Sequence, residues 1–205
     1  MSQTIVLASG NQGKLKEFQT LLNNCGYDIQ PQSNFAVPEA DETGLTFVEN
    51  AILKARNACT HTGLPSIADD SGIEVDALNG APGIYSARFA RDWVAPQALQ
   101  TSPNDTRNNA YLLERLTGLP RSERTARYQC VLVFMQHAED PTPIICQGSW
   151  EGIILEEPRG QNGFGYDPLF YVPEQDCSSA ELSKALKNSI SHRAIAMQAL
   201  LAALG

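Results

Sequence analysis

Asp69 and Asp70 stand side by side in IADDSG (67–72), behind an apolar run and ahead of a serine and a glycine. Adjacent carboxylates repel, and an extended backbone aims successive side chains at opposite faces. Asp, Ser and Gly also form turns, so a solvated corner and a divalent-metal site with an adjoining base are both open from this stretch. Upstream, PEADETG carries Glu39, Asp41 and Glu42. Such a cluster is commonly a wet loop, but Mg²⁺ takes oxygen ligands and uses one or two protein carboxylates while phosphates and waters complete its shell. One carboxylate from this loop and one from Asp69 or Asp70 would meet that need.

A second group of residues suits anions. SGNQGK, Ser9 to Lys14, lies between a β-rich run (TIVLASG, 4–10) and a helical pattern over 13–26. The first N–H groups of a helix are unpaired and partly positive, so they bind anions. Gly10 and Gly13 permit close approach, and Asn11 could cap the helix. Lys14 in the first turn opposes the helix dipole, a conflict that an anionic ligand would relieve. The GxxxxGK[ST] pattern of a phosphate loop is absent, and an ordinary capped helix start accounts for the same residues. Asn50 and Lys54, four apart, share one helix face.

Residues suited to a base come later. In GQNGFGYDPLF (160–170), Phe164 and Tyr166 sit among glycines and are expected to be exposed. An exposed aromatic can stack on a base, typically for ~1–3 kcal/mol. Asp167–Pro168 equally reads as a turn initiator. Lys187, His192 and Arg193 cluster around a break between two helical patterns; Lys and Arg can donate to a base carbonyl but accept nothing. Surface cations beside a Ser-capped helix are the plainer reading.

The elements that must carry these residues follow from periodicity. Leu15, Phe18, Leu22 and Cys25 have helical spacing, and Gly26 closes that helix. Thr46 and Glu49 form a capping-box pattern; the helix they open has Val48, Ile52, Ala55 and Cys59 on one face and ends at Gly63. LPSIADDSGIEVDAL is expected to be two short strands around the Asp-Asp-Ser-Gly corner. A helix over 104–118 turns Leu112, Leu113 and Leu116 inward. Strands over 125–136 and 143–155 look like an antiparallel hairpin, and SSAELSKALK and SHRAIAMQALLAAL read as helices. The class is mixed α/β: a twisted sheet with flanking helices, in which the hairpin could form a lobe of its own and leave a cleft.

Bulk properties narrow the partners. The 205 residues can bury a core as one domain or two small lobes. No apolar run approaches the ~20 residues needed to cross a bilayer. The N-terminal stretch has no basic region before its apolar run, so a signal peptide is not expected and the chain reads as intracellular. Five widely spaced cysteines without a CxxC pair fit reduced thiols better than disulfides or zinc. A net charge of −8 with no Lys/Arg run argues against nucleic acid as a partner. An anionic ligand would therefore need local cations or a metal ion.

Taken together, SGNQGK, ETGLTFVENAILKA, ADDSG, APGIYSARFA, GFGYDP and SHR occur in the order and spacing of a known family. The chain resembles the inosine triphosphate pyrophosphatases, from first strand to last helix, and within them the bacterial branch acting on non-standard purine NTPs. One departure is Asp41, where that pattern more often has Glu. The resemblance implies one domain over 1–205 with two lobes around a central nucleotide cleft. It implies hydrolysis of ITP, dITP and XTP to monophosphate and pyrophosphate, a house-cleaning reaction that keeps deaminated purines out of DNA and RNA. Ser9, Gly10, Asn11, Gln12, Gly13 and Lys14 would hold the triphosphate, assisted by Lys54. Asp70 would be general base and Mg²⁺ ligand, with Asp41 or Glu42 as the metal's other carboxylate and Asp69 supporting or completing the site. Ser71 would touch the nucleotide; Phe164, Gly165 and Tyr166 would receive the purine, with Asp167, Lys187, His192 and Arg193 around its edge. Tyr85 and Arg88 look functional on the same ground. The family is typically a cytoplasmic homodimer. A Maf-like pyrophosphatase would prefer an arginine-rich first loop; a silent nucleotide sensor would not need Asp70 and Lys14 intact.

Overall fold

The computed structural model describes residues 3–10, 13–15, 18 and 26–205. Seven strands form one sheet in the order β2-β1-β3-β4-β5-β6-β7. They are Gln3–Ala8 (β1), Tyr27–Pro31 (β2), Ser66–Val75 (β3), Thr125–Met135 (β4), Ile144–Ile154 (β5), Phe170–Val172 (β6) and Cys177–Ser178 (β7). β1 runs parallel to β2 and β3, with Val6, Leu7 and Ala8 opposite Ser66, Ile67 and Ala68. β6 is antiparallel to β5 and β7. The mixed α/β expectation holds.

The chain divides into two units. The first comprises Met1–Ser71, Cys130–Gly148 and Ser191–Gly205; the second comprises Gly72–Gln129 and Ser149–Ile190. In the first unit the pleat sorts side chains by parity. Ile5, Leu7, Ile67, Cys130, Leu132 and Phe134 pack with Leu15, Phe18, Met197 and Leu200. Val6, Ala8, Ala68, Val131, Val133 and Met135 pack with Ala51, Ala55 and Ala58. Both sheet faces are covered, as parallel strands require. The second unit has an aromatic core in which the Phe170 ring lies 4.6 Å from Tyr128 and 5.2 Å from Trp150, centroid to centroid.

Helix α1 (Phe47–Thr62) begins as its capping pattern predicts. The Thr46 hydroxyl accepts from Glu49 N and donates to the Glu49 carboxylate, which also accepts from Leu45 N. Gly63, at φ 66°, ends it. Its buried face is rotated from the expected one: Asn50, Ala51, Ala55, Ala58 and Cys59 are buried, while Val48 and Ile52 are half-buried. Asn50 turns inward because its side-chain oxygen accepts from Gly44 N at 2.8 Å.

Three further helices are α2 (Asn104–Arg115), α3 (Lys184–Ile190) and α4 (His192–Leu204). Leu112 and Leu116 are fully buried as expected, and Leu113 is half-buried. Ser191 caps α4 by accepting from Ala194 N.

Two expectations are corrected. Residues 66–75 form one unbroken strand instead of two around a corner, because both aspartates find cationic partners inside the protein and need no solvated turn. The stretch beginning SSAELS is not one helix: a short 3₁₀ turn, Ser179–Glu181, precedes α3, and Leu182 between them is extended at φ −67°, ψ 148°. No helix among the described residues is long and apolar enough to cross a membrane. Of the helix expected over 13–26, residues 13–15 and Phe18 are helical; Leu22 and Cys25 lie outside the described residues.

Candidate active site

In the first unit, alternation along β3 gives the two aspartates separate surroundings. Asp69 shares parity with Ile67 and has a side chain with no solvent exposure. Its Oδ1 accepts from Lys14 Nζ and from the Ser71 hydroxyl (2.9 Å); its Oδ2 accepts from Arg193 Nε (3.0 Å) and the Cys130 thiol (3.2 Å). Burial alone would push the Asp69 carboxyl up, but the Lys14 ammonium and the Arg193 guanidinium outweigh it and hold it well below the usual carboxylate range. The Lys14 conflict at the helix start is thus answered by a carboxylate of the chain itself. Arg193 also donates to the Ser71 hydroxyl at 3.0 Å.

Asp70 has the opposite parity and faces α1. Lys54 Nζ donates to Asp70 Oδ1 at 2.7 Å and to Glu42 Oε1 at 3.0 Å, so one ammonium bridges two carboxylates. Burial pushes the Asp70 carboxyl above its ordinary value against the pull of Lys54. Burial would lower the Lys54 ammonium, but Asp70 and Glu42 raise it. Of the acidic pair in the loop, Glu42 is the one that reaches Lys54; Asp41 is exposed, and its backbone carbonyl accepts from Thr43 N. Among the described residues no three His, Cys, Asp or Glu side chains converge to hold a metal. The donor set nonetheless suits a hard cation, since Glu42 and Asp70 already share one positive charge through oxygen. Asp69 does not suit it, because both its oxygens are held by protein donors.

Ser9 N bonds to Leu7 O, and Gly10 leaves space that a Cβ would fill at 2.6 Å from Glu39 Oε1. Gly13 and Lys14 are helical, whereas Asn11 and Gln12 lie outside the described residues. His192 is buried at the start of α4, where Gly148 of β5 packs against its carbonyl; a Cβ there would collide with it.

The second unit collects the loop residues. Phe164 is 37% exposed, and Lys187 Nζ lies 5.7 Å from its ring centroid. Asp167 is buried: its Oδ1 accepts from the Ser179 hydroxyl (2.9 Å), and its Oδ2 from Phe164 N (2.9 Å) and Lys187 Nζ. Tyr166 is a correction. It is buried, not exposed, because its hydroxyl donates to Ser86 O at 2.8 Å, and burial raises its phenol. Gly165 adopts φ 63°. Tyr85 is exposed, with the Arg88 guanidinium 5.2 Å from its ring centroid.

Sequence reasoning missed the start of α2. Gly165 N donates to Asp105 Oδ2 (2.7 Å), and Asn109 Nδ2 donates to Gly165 O (2.9 Å). Asn108 is buried, donates to Ser86 O and Ala87 O, and accepts from Ala90 N. The only signal was polar residues at helical spacing, which reads as a solvated face. A cavity of ≈ 250 Å³ lined by residues including Arg121, Arg124 and Arg159 involves none of the predicted site residues.

A twisted mixed sheet, a glycine-bearing strand-to-helix loop and lysine-bound carboxylates on the third strand define a nucleotide-handling class. The chain belongs to the Ham1 family, whose sequence profile matches residues 5–203. Among its relatives, the dITP/XTP pyrophosphatase of Vibrio cholerae serotype O1 is 56% identical over 200 residues, covering 98% of this chain and 96% of that protein. The dITP/XTP pyrophosphatase of Shigella flexneri is 53% identical over 202 residues, with 98% of each covered. A solved HAM1 protein from Coxiella burnetii superposes with a TM-score of 0.88 at 48% identity, covering 98% of both chains.

Proposed function

We propose that this chain hydrolyses deaminated purine nucleoside triphosphates (ITP, dITP, XTP) to the monophosphate and pyrophosphate, keeping them out of DNA and RNA. The observation that supports this most is the split doublet: Asp69 is locked by Lys14 and Arg193, while Asp70 is raised by burial and meets Lys54 and Glu42. A carboxylate raised by burial is a better proton acceptor near neutral pH. The relatives' names point to the same reaction.

In this reading Asp70 takes a proton from water as its oxygen attacks the α-phosphorus. The bond from that phosphorus to the bridging oxygen breaks, and pyrophosphate leaves. Ser9, Gly10, Asn11, Gln12, Gly13 and Lys14, with Lys54, receive the phosphates, since such transfer depends on positioning and charge neutralisation. Glu42 and Asp70 would hold Mg²⁺, which when bound neutralises phosphate charge and lowers the pKa of a bound water. Phe164 would receive the purine, and Lys187 and His192 would be donors to O6. Adenine, with an amino donor at that position, leaves such a donor unpaired, at a cost of ~1–3 kcal/mol. Ser71 and Arg193 act at the Asp69 carboxylate. A cytoplasmic homodimer belongs to the same proposal.

The test is purified protein with Mg²⁺ and a panel of ITP, dITP, XTP, GTP and ATP. Pyrophosphate release from the keto purines, well above that from ATP, is the expected result. Orthophosphate release would overturn the cleavage site, and no turnover of any keto-purine triphosphate would overturn the activity. Asp70→Asn should lose at least ~10²-fold in kcat with the fold retained.

A further inference from the structure

Phe164 offers an exposed ring on a backbone that is fixed from outside its own loop. On its C-terminal side, Gly165 is gripped at both polar groups: its N–H by Asp105 Oδ2 and its carbonyl by Asn109 Nδ2. Asp105 and Asn109 are one helical turn apart on α2, so a single rigid face supplies both bonds. On the N-terminal side, Phe164 N donates to buried Asp167. One residue beyond Gly165, Tyr166 is tied to Ser86, which Asn108 of the same helix also holds.

The grip on Gly165 carries a cost that packing alone would not demand. Asn109 Oδ1 is buried without a hydrogen-bond partner, and a buried unpaired acceptor is unfavourable. An apolar residue would fill the same space without it. What Asn109 gains is the bond to Gly165, a left-handed glycine that directly follows Phe164. A ring exposed for contact on a backbone fixed on both sides is a preorganised platform.

We propose that Asp105 and Asn109 are positioning residues for the purine, setting the plane of the Phe164 ring by clamping Gly165 without touching the substrate. The inference rests on the reading of Phe164 as the base platform.

The experiment compares wild type with Asp105→Ala, Asp105→Asn, Asn109→Ala, Phe164→Ala and the Asp105→Ala/Phe164→Ala double variant. Steady-state dITP hydrolysis is paired with calorimetric titration of IMP. Asp105→Ala and Asn109→Ala are expected to raise KM and the IMP dissociation constant about tenfold, the scale of one lost hydrogen bond, while kcat stays within about twofold. Asp105→Asn, which keeps an acceptor oxygen, should restore most of the loss. In the Phe164→Ala background, Asp105→Ala should add little further, because both act through one ring. Equal effects of Asp105→Ala in both backgrounds, a fall in kcat in place of a rise in KM, or no rescue by Asp105→Asn would overturn the clamp. If Asp105→Ala leaves KM and IMP binding unchanged while Phe164→Ala impairs both, the clamp alone fails. If Phe164→Ala leaves both unchanged, the platform reading fails and the clamp with it.

Discussion

Replacing Asp69 with Asn tests what this carboxylate does, because two roles give opposite signs. The Asp69 side chain has no exposed surface, and its two cationic partners have side chains only 14% (Lys14) and 5% (Arg193) exposed. Removing one member of a buried ion pair typically costs ~3–5 kcal/mol, because the remaining charge is left uncompensated. Asn keeps the shape and one acceptor oxygen for Arg193, so the lower end, ~3 kcal/mol, is expected. In a chain of this size ~1 kcal/mol moves the melting temperature by ~2–4 °C, giving a fall of about 6–12 °C. The assay is thermal unfolding followed by circular dichroism in chelator, with urea titration as a second measure. Were Asp69 instead a third carboxylate of an open metal cluster, deleting its charge in the metal-free protein would relieve repulsion and stabilise it. An Asp69→Asn protein melting at or above the wild-type temperature would falsify the anchoring role.

Three other outcomes follow from the structure. Gly163 has φ 80°, and a Cβ there meets the Asp167 carboxylate; Gly163→Ala should cost ~1–2 kcal/mol from the left-handed backbone alone and raise KM for dITP, read by urea titration and kinetics. Burial pushes the thiols of Cys59, Cys130 and Cys146 up, so at pH 7 they should resist a disulfide reagent until urea is added, with half-buried Cys177 the first of these four to react. Hydrogen bonds from Arg127 and Thr125 lower the Asp76 carboxyl. A lowered value stabilises above the unfolded pKa of ~3.9 and is lost as pH falls through the folded one. Asp76→Asn should therefore cost under ~1 kcal/mol at pH 7, given its exposure, and nothing measurable near pH 2, as urea titrations at the two pH values would show.

Local signals were legible where the chain solves its own problem nearby. Thr46, Glu49 and Gly63 bound a helix through contacts within four residues, and the sequence places them correctly. The divergence of Asp69 and Asp70 also follows from strand geometry once the strand is granted. What it could not supply is Asp69's partners, since Lys14 lies 55 residues before it and Arg193 124 residues after it. Without those cations, a buried doublet looks too costly and a solvated corner looks natural, hence the two short strands wrongly expected. Tyr166 fails for a similar reason: the carbonyl that lets it be buried belongs to Ser86, 80 residues away. Asp105 and Asn109 were hidden because a helix face that grips a distant glycine has the same composition as one that faces water.

The parity of β3 also gives the strand a reading frame. Slip it one residue one way and Asp69 takes the place of Ala68, a carboxylate against the alanine face of α1. Slip it the other way and the Ala68 methyl stands between Lys14 and Arg193, leaving two cations with no acid. Either error is penalised at once by charge, whereas a run of β-branched residues would tolerate the shift. The doublet therefore guards the seating of the sheet's third strand, and a one-residue insertion or deletion just before Asp69 should be among the least tolerated length changes in the first unit.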